Sequence, residues 1–279
     1  MVEKERFLEV EKWLRQEERQ LPKGKKRKKD YRDRKTEQYV FDVPTLETLY
    51  KFSAKGILKA LGGPISRGKE AVIFHAIGAK DVELAIKMYK VDTSNFKVMQ
   101  DYIIGDPRFE NIKRDRKSIV FAWARKELKN LTRAFDAGVQ VPKPIACDKN
   151  VLIMEFVGQD AIAAPKLRDV PLNVLELDFD LEELFSRIVE YMKLLYENGT
   201  MVHADLSEFN ILMDGYVERD AGVEGVEIEP VLIDMGQSIL LDHPNADAFF
   251  RRDVRNIATY FNKLGFVCSE EEIIRMVKE

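Results

Sequence analysis

The chain has 279 residues, 45% of them hydrophobic, which is enough apolar sequence for one large domain or two small ones. A chain that is disordered throughout is therefore excluded. The 45 basic and 48 acidic residues leave a net charge of −3, which excludes a protein that nucleic acid wraps along its whole surface.

Cysteine usage and apolar runs narrow the class further. Cys147 and Cys268 have neither metal-ligand nor redox spacing, so we expect no disulfide framework, no zinc site and a reducing compartment. No signal-peptide pattern opens the chain, and no apolar run approaches the roughly 18 residues of a membrane span. We therefore expect a soluble, cytoplasmic protein without a membrane partner.

Residues 1–62 are predicted to form a helical extension. Apolar residues recur at helical spacing over residues 5–20, and a second helix opens at Thr45 and is expected to end at Gly62-Gly63-Pro64. Between these helices, residues 23–35 carry nine basic side chains against two aspartates, a local charge of +7. This basic tether is interpreted as a solvated linker or, alternatively, as a patch that meets a phosphate backbone.

Residues 63–158 are predicted to form a β-rich lobe. The segments 70–78 and 82–90 have strand composition and are joined by three residues, which indicates an antiparallel hairpin. A polar stretch over 92–117 is expected to be a long loop, followed by a helix over 118–136. Two more strands, at 144–147 and 151–157, complete the lobe, and Gly158 is the expected hinge.

Residues 159–279 are predicted to form a mainly helical second lobe. A strongly amphipathic helix spans 180–199, and helices at about 244–264 and 269–279 end the chain. Two short strands, at 211–217 and 229–234, flank a Gly- and acid-rich hairpin.

Two charged residues occupy positions where the apolar pattern predicts burial. Lys87 lies inside the strand 82–90, and Glu127 lies four residues from Trp123 and from Leu131 on the apolar side of its helix. A buried acid requires a cation, and a lysine held by that acid can bind the α and β phosphates of a nucleotide. The alternatives are a lysine that snorkels to the surface and a surface ion pair of Glu127 with its basic neighbours.

The segment MVHADLSEFNIL, residues 201–212, holds polar side chains between apolar anchors. Asp205 can accept a proton or orient a hydroxyl group, and Asn210 offers an amide oxygen to Mg²⁺. Asp234 ends a later apolar strand, and a carboxylate with an amide oxygen suits Mg²⁺ that bridges phosphates. His203 is expected to have a structural role.

The ordered set of Lys87, Glu127, HADLSEFN and DMG resembles the protein-kinase signature. More closely, ISRGKEAVIFHA, HADLSEFN and IDMGQSILLDHPNA are similar to the RIO family of atypical protein kinases, in its RIO-one branch, over about residues 45–270. The resemblance implies an α+β, two-lobed protein-kinase-like fold with a truncated C-lobe. The glycine-rich loop is reduced to SRGKEA, Ala204 and Ser207 replace the usual arginine and lysine, and no APE motif follows Gly236. An activation segment and a platform for free peptides are therefore not expected.

The resemblance also implies roles for individual residues. Asp205 would be the catalytic base, Asn210 and Asp234 the metal ligands, and Lys87 the phosphate-binding lysine positioned by Glu127. The residues that would bind the rest of ATP are Ser66, Gly68 and Lys69 over the triphosphate, and Glu155 and Val157, through their backbone, with Met154 at adenine. The loop 92–117 would be autophosphorylated on serine, at Ser94 or Ser118.

The function that the resemblance implies is a serine/threonine protein kinase that uses ATP with Mg²⁺, or Mn²⁺, and acts on small-ribosomal-subunit precursors. The partners would be ATP, precursor proteins and, through the basic tether, ribosomal RNA. Three alternatives stay open: an ATPase switch with an aspartyl-phosphate on Asp234, a small-molecule kinase of the aminoglycoside or choline type, and a catalytically silent scaffold. The residues define no oligomeric state, and the hairpin over 215–229, longer than the family pattern, has no assigned role.

Overall fold

The structure, a computed structural model, describes residues 41–91, 96–103, 106–109, 112–171, 180–216, 222 and 227–279. Their backbone forms two compact units. The first unit falls within residues 1–100, 112–125 and 145–156, and the second within 101–111, 126–144 and 157–279. The predicted helix at 5–20, the basic tether and Ser94 lie outside the described residues. The predicted domain boundaries stay a prediction.

The first unit is built on a five-stranded sheet and a helix. Its elements are α1 (Val43–Ala54), β1 (Leu58–Arg67), β2 (Ala71–Gly78), β3 (Glu83–Tyr89), β4 (Pro144–Asp148) and β5 (Val151–Glu155). The strand order in the sheet is β1-β2-β3-β5-β4. The β1–β2, β2–β3 and β3–β5 pairs are antiparallel, so the predicted hairpin over 70–90 is confirmed.

One face of this sheet packs against α1. Leu46, Leu49 and Phe52 of the helix are buried against alternate residues of β2, β3 and β5, among them Ile86 and Ile153. Because side chains alternate along a strand, Lys87 points to the opposite face. Burying each large aliphatic side chain against α1, such as Ile86 or Ile153, stabilises the fold by about 1.5–3 kcal/mol. This packing determines which residues of β3 face α1, and so it places Lys87 on the other face of the sheet.

The predicted end of the helix that opens at Thr45 is wrong. The helix ends at Ala54, and Gly56, with a φ of 71°, turns the chain into β1. Gly62, Gly63 and Pro64 lie inside that strand, where the pairing register shifts. An edge strand tolerates proline, and a bulge absorbs glycines that would interrupt a regular ladder. The strongest turn signal in this region therefore marks an irregular strand.

The predicted loop over 92–117 also needs correction. Among its described residues, α2 (Phe96–Ile103) is helical and Pro107–Phe109 forms a 3₁₀ turn. Polarity obscured the helix, but Met99, Tyr102 and Ile103 recur at helical spacing and are buried.

The second unit is helical with short strands. α3 (Arg116–Asp136) contributes its first ten residues to the first unit and the rest to the second. The other elements are β6 (Gly158–Gln159), β7 (Ile162–Ala163), α4 (Leu181–Glu197), β8 (Met201–Val202), β9 (Ile211–Asp214), β10 (Glu229–Leu232), β11 (Ile239–Leu240), α5 (Ala246–Lys263) and α6 (Glu270–Lys278). The strands pair antiparallel as β6–β7, β9–β10 and β8–β11, which confirms the predicted hairpin between 211 and 234.

The helix ends follow their capping residues. Asp180 accepts hydrogen bonds from the backbone N–H groups of Glu182 and Glu183, and Ser269 forms a capping box with Glu272. Both helices begin where the sequence predicts. No helix within the described ranges is long and apolar enough to cross a membrane.

Candidate active site

Two loops of the second unit lie side by side. The first loop (residues 203–210) joins β8 to β9, and the second loop (residues 233–238) joins β10 to β11. Because β8 pairs with β11 and β9 with β10, both loops leave the same pair of two-stranded ladders. The Ile233 N–H donates to the Asn210 carbonyl over 3.0 Å, and the Ser238 hydroxyl donates to the His203 carbonyl over 3.0 Å.

Each loop contains one non-glycine residue with a left-handed backbone. The φ angles are 64° at Ala204 and 65° at Asp234. Such a conformation costs about 1–2 kcal/mol for a residue with a Cβ. The surrounding hydrogen bonds must hold it, and strained residues of this kind concentrate at functional sites.

The Asp205 carboxylate lies between the two loops. Asn210 Nδ2 donates to the Asp205 carbonyl over 2.8 Å and to its Oδ2 over 3.1 Å, and Gln237 Nε2 donates to the same Oδ2 over 3.1 Å. Burial and then the negative charge of Asp234 raise the pKa of Asp205. A carboxylate with a raised pKa is a better proton acceptor than an ordinary surface aspartate.

The structure brings Asp205, Asn210 and Asp234 together. Since the Nδ2 of Asn210 is committed to Asp205, its amide oxygen is the end of the side chain that can ligate a cation. An amide oxygen and the Asp234 carboxylate are suitable Mg²⁺ ligands. No cluster of three or more His, Cys, Asp or Glu side chains with metal-site geometry occurs in the described part of the chain. Asn210 and Asp234 supply two oxygen ligands, and a cation held by them would take its remaining oxygens from other groups.

His203 lies behind the first loop. Its ring is buried, and Nε2 donates to the Ile233 carbonyl over 3.0 Å. Burial lowers its pKa to about 4, so the ring is neutral near pH 7. This position agrees with the structural role predicted for His203.

Side chains of helix α5 bind the backbone of the first loop. Asp253 accepts hydrogen bonds from the N–H groups of Ala204 (2.7 Å) and Leu206 (2.9 Å), and it is 2% exposed. Arg252 donates to the Ala204 carbonyl, and Asn256 donates to the Leu206 carbonyl over 2.9 Å. These contacts fix the backbone on both sides of Asp205.

Asp253 was not among the predicted site residues, although its position in the helix carries a recognisable signal. Asp253 lies three residues after Phe250 and four before Ile257, on the buried stripe of its helix. A carboxylate on an apolar stripe is the same signal that singled out Glu127.

The nucleotide-binding residues predicted in the first unit lie on its sheet and on one turn. Lys87 is buried, with Nζ 5.3 Å from the centroid of the Tyr89 ring. Met154 pairs with Ala85, so Met154 and Lys87 share the sheet face opposite α1. Glu155 ends β5 and is exposed.

Gly68 and Lys69 lie at the exposed turn between β1 and β2, and Ser66 is exposed near the end of β1. The Gly68 N–H donates to the Ala71 carbonyl over 2.9 Å, and Lys90 Nζ donates to the Gly68 carbonyl over 2.7 Å. A backbone hydrogen bond therefore closes the turn. Lys69 lies within the turn, and Lys90, directly after β3, binds the Gly68 carbonyl.

Glu127 and Val157 belong to the second unit. Glu127 is 1% exposed, so the alternative of a surface ion pair for Glu127 is wrong. The Val157 carbonyl accepts from the Ala164 N–H over 3.0 Å, so in the predicted adenine contact Val157 would use its N–H. The pairing of Lys87 with Glu127 stays a prediction.

Comparison with known proteins places the chain in a family. Residues 72–273 match the model of the RIO domain. The chain is 42% identical over 258 residues to the RIO-type serine/threonine-protein kinase Rio1 of Haloferax volcanii, covering 92% of this chain and 82% of the relative. It is 41% identical over 252 residues to the Rio1 protein of Methanocaldococcus jannaschii, covering 90% and 80%. The human serine/threonine-protein kinase RIO1 is 37% identical over 235 residues, which are 84% of this chain and 39% of the human protein.

A solved structure shares the fold. The Rio2 kinase-ADP/Mg²⁺-phosphoaspartate complex from Chaetomium thermophilum matches with a TM-score of 0.61 and 23% identity, over 84% of this chain and 66% of that one. This likeness confirms the predicted α+β, protein-kinase-like fold. The match to the RIO domain model and the identity with the two archaeal Rio1 proteins show that the chain belongs to the RIO family of atypical serine/threonine protein kinases.

Proposed function

We propose that this chain transfers the γ-phosphoryl group of ATP to a serine or threonine hydroxyl, with Mg²⁺ as the cofactor. One observation carries the proposal: Asp205, Asn210 and Asp234 meet on two hydrogen-bonded loops, and Asp205 has a raised pKa. The kinase names of the relatives support the same chemistry, and the Rio2 relative binds ADP and Mg²⁺.

Each residue has a defined task in this proposal. Asp205 orients the acceptor hydroxyl and takes its proton as the hydroxyl oxygen bonds to the γ-phosphorus and the bond to ADP breaks. Asn210 and Asp234 hold Mg²⁺, which would neutralise charge on the phosphates. Lys87, positioned by Glu127, binds the α and β phosphates.

The other residues would bind the rest of the nucleotide. Ser66, Gly68 and Lys69 would cover the triphosphate, and adenine would lie beside Met154 against the backbone of Glu155 and Val157.

Replacing the base tests the proposal. Asp205→Asn keeps the size of the side chain and removes its ability to accept a proton, so we expect phosphoryl transfer to fall about 100-fold or more while ATP binding is retained. Asp136→Asn, an exposed aspartate at the end of α3, is the matched control and should not change turnover. Undiminished transfer by Asp205→Asn would remove its assignment as the base.

A second candidate is an ATPase switch in which Asp234 accepts the phosphoryl group. Its left-handed backbone and the phosphoaspartate in the Rio2 relative favour this alternative. The Asp234 carboxylate oxygen would bond to the γ-phosphorus as ADP leaves, and water would then hydrolyse the acyl phosphate to free phosphate. Acyl phosphate is cleaved by hydroxylamine, whereas phosphoserine is not. Hydroxylamine-labile label would support the switch, and resistant label would support the serine kinase.

Autophosphorylation on serine is proposed at Ser94 or at Ser118, of which Ser118 is the third residue of α3. Its hydroxyl donates to Asp115 Oδ2 over 2.6 Å, so the oxygen already faces a carboxylate. Mass spectrometry after incubation with ATP would locate the phosphate, and label on another residue would remove this assignment.

We further propose small-ribosomal-subunit precursors as the partner, on the basis of the family resemblance. Co-sedimentation with such precursors is expected. If the basic tether at 23–35 binds RNA, neutralising it should flatten the salt dependence of binding, and an unchanged dependence would make it a linker.

A further inference from the structure

A fully buried lysine supports the second loop. Lys126 of α3 is 0% exposed, and its Nζ donates to the Gly236 carbonyl over 2.9 Å and to the Ser238 carbonyl. Both acceptors follow Asp234 in the chain. Lys126 thus binds the backbone of the loop that carries a proposed metal ligand.

Asn130 continues this contact one helical turn further on. Its Nδ2 donates to the Met235 carbonyl over 2.8 Å and to the Ser238 carbonyl over 2.9 Å. Positions four apart lie on one face of a helix, so Lys126 and Asn130 act on the loop from the same side. Together, Lys126 and Asn130 donate four hydrogen bonds to three carbonyls of the second loop, those of Met235, Gly236 and Ser238.

Asn130 is itself held from the other side. Arg108 Nη2 donates to Asn130 Oδ1 over 2.9 Å, which fixes the orientation of the amide. Arg108 forms a bidentate pair with the buried Asp106, at 2.9 Å from Nε to Oδ1 and 2.7 Å from Nη2 to Oδ2. A bidentate pair sets direction as well as strength. The donors on Asn130 are therefore directed at the second loop.

Burying the amine of Lys126 costs free energy, and an apolar side chain would pack at this position without that cost. Burial lowers its pKa to about 7, with the charge of Arg108 adding to the effect. A lysine here is better explained by what its donors hold than by stability.

We propose that Lys126 and Asn130 are positioning residues that fix the second loop, so that the strained backbone at Asp234 presents its carboxylate to Mg²⁺. This inference rests on the proposed function of Asp234. Residues that orient metal ligands without touching the metal typically change metal affinity by about 10- to 100-fold when replaced.

The test measures metal binding rather than turnover. Mn²⁺ is the probe, because its binding to the full chain with ADP is measured directly by electron paramagnetic resonance. Lys126→Met keeps the volume and removes the donors, and it should weaken Mn²⁺ binding by about 10-fold or more. Lys126→Gln, which retains an N–H donor, should recover part of the affinity. ADP binding without metal should stay within about twofold of the original.

Matched controls separate positioning from general destabilisation. Lys117→Met, an exposed lysine on the same helix, should leave Mn²⁺ affinity unchanged. Asn130→Ala should weaken Mn²⁺ binding on its own, and it decides the question if Lys126→Met does not fold by circular dichroism. Unchanged Mn²⁺ affinity in the folded variants would overturn the inference and leave the proposed function intact. A failure of the unmodified chain to bind Mn²⁺ with ADP would instead contradict the proposed function itself.

Discussion

Replacing Asp253 should weaken the fold and the active site together. Its carboxylate accepts two buried backbone N–H groups, from Ala204 and Leu206, that flank Asp205. Asp253→Asn keeps the shape but offers only one acceptor oxygen, so its NH₂ group faces the other N–H. One buried donor is then unsatisfied, which costs about 1–3 kcal/mol in the free energy of unfolding.

The charge state of Asp253 keeps this figure moderate. Burial raises the pKa of Asp253 to about 7, against the hydrogen bonds from Leu206 and Ala204, which lower it. The carboxyl group is therefore partly protonated near neutral pH, and the amide does not lose the full strength of an ionic hydrogen bond. A displaced Asp205 should also reduce phosphoryl transfer by about 100-fold, because small errors in the position of a base have that effect.

Urea denaturation and transfer of labelled phosphate measure the two effects. Asp247→Asn on the same helix is the matched control, since Asp247 is exposed and pairs with Arg251 over 2.8 Å at the surface. Asp247 also pairs with Lys278 over 3.3 Å, and losing these exposed pairs should change the urea midpoint little and leave transfer unchanged. If Asp253→Asn unfolds at the same urea concentration as the original and transfers phosphate at the same rate, Asp253 does not anchor the loop.

Two further predictions concern residues beside the site. The pKa of His203 is about 4 in the folded chain against 6.5 when unfolded, so its contribution to stability is full above pH 6.5 and falls by about 3 kcal/mol as the pH drops to 4. The urea midpoint of His203→Gln should therefore depend less on pH over this range than that of the original chain. An equal dependence would contradict the assignment. Gly158 has a φ of 134°, and a Cβ there would lie 2.2 Å from the Ile162 carbonyl oxygen. Gly158→Ala should therefore cost about 2–3 kcal/mol, whereas Gly63→Ala, where a Cβ meets nothing within 4 Å, should change stability by about 0.5 kcal/mol or less; equal thermal stability of the two variants would refute the argument.

Three of the candidate site residues were predicted from short segments of the sequence with a clear local pattern. Asp205 and Asn210 are five residues apart in one loop, and Lys87 lies in a strand whose alternation is regular. The kinase-like fold was implied by the resemblance of these ordered motifs to the protein-kinase signature and the RIO family. Asp234 was singled out because it ends an apolar strand.

Other features depend on contacts that pattern does not encode. Lys126 binds a carbonyl 110 residues later in the chain, and nothing in its own helix indicates that partner. The strand β1 was missed because Gly62-Gly63-Pro64 is a strong turn signal locally, and its pairing with β2 outweighs that signal. Every residue has a backbone carbonyl, so a contact to one cannot be predicted from the type of residue that provides it.

We propose that the loops carrying Asp205 and Asp234 transfer phosphate from ATP. Incubation of the full chain with γ-labelled ATP and Mg²⁺, followed by hydroxylamine, is the most direct test. We expect protein-bound label that resists hydroxylamine, and loss of this label in Asp205→Asn with ATP binding retained. Equal labelling of the original chain and of Asp205→Asn, or no ATP-dependent labelling or phosphate release at all, would contradict it.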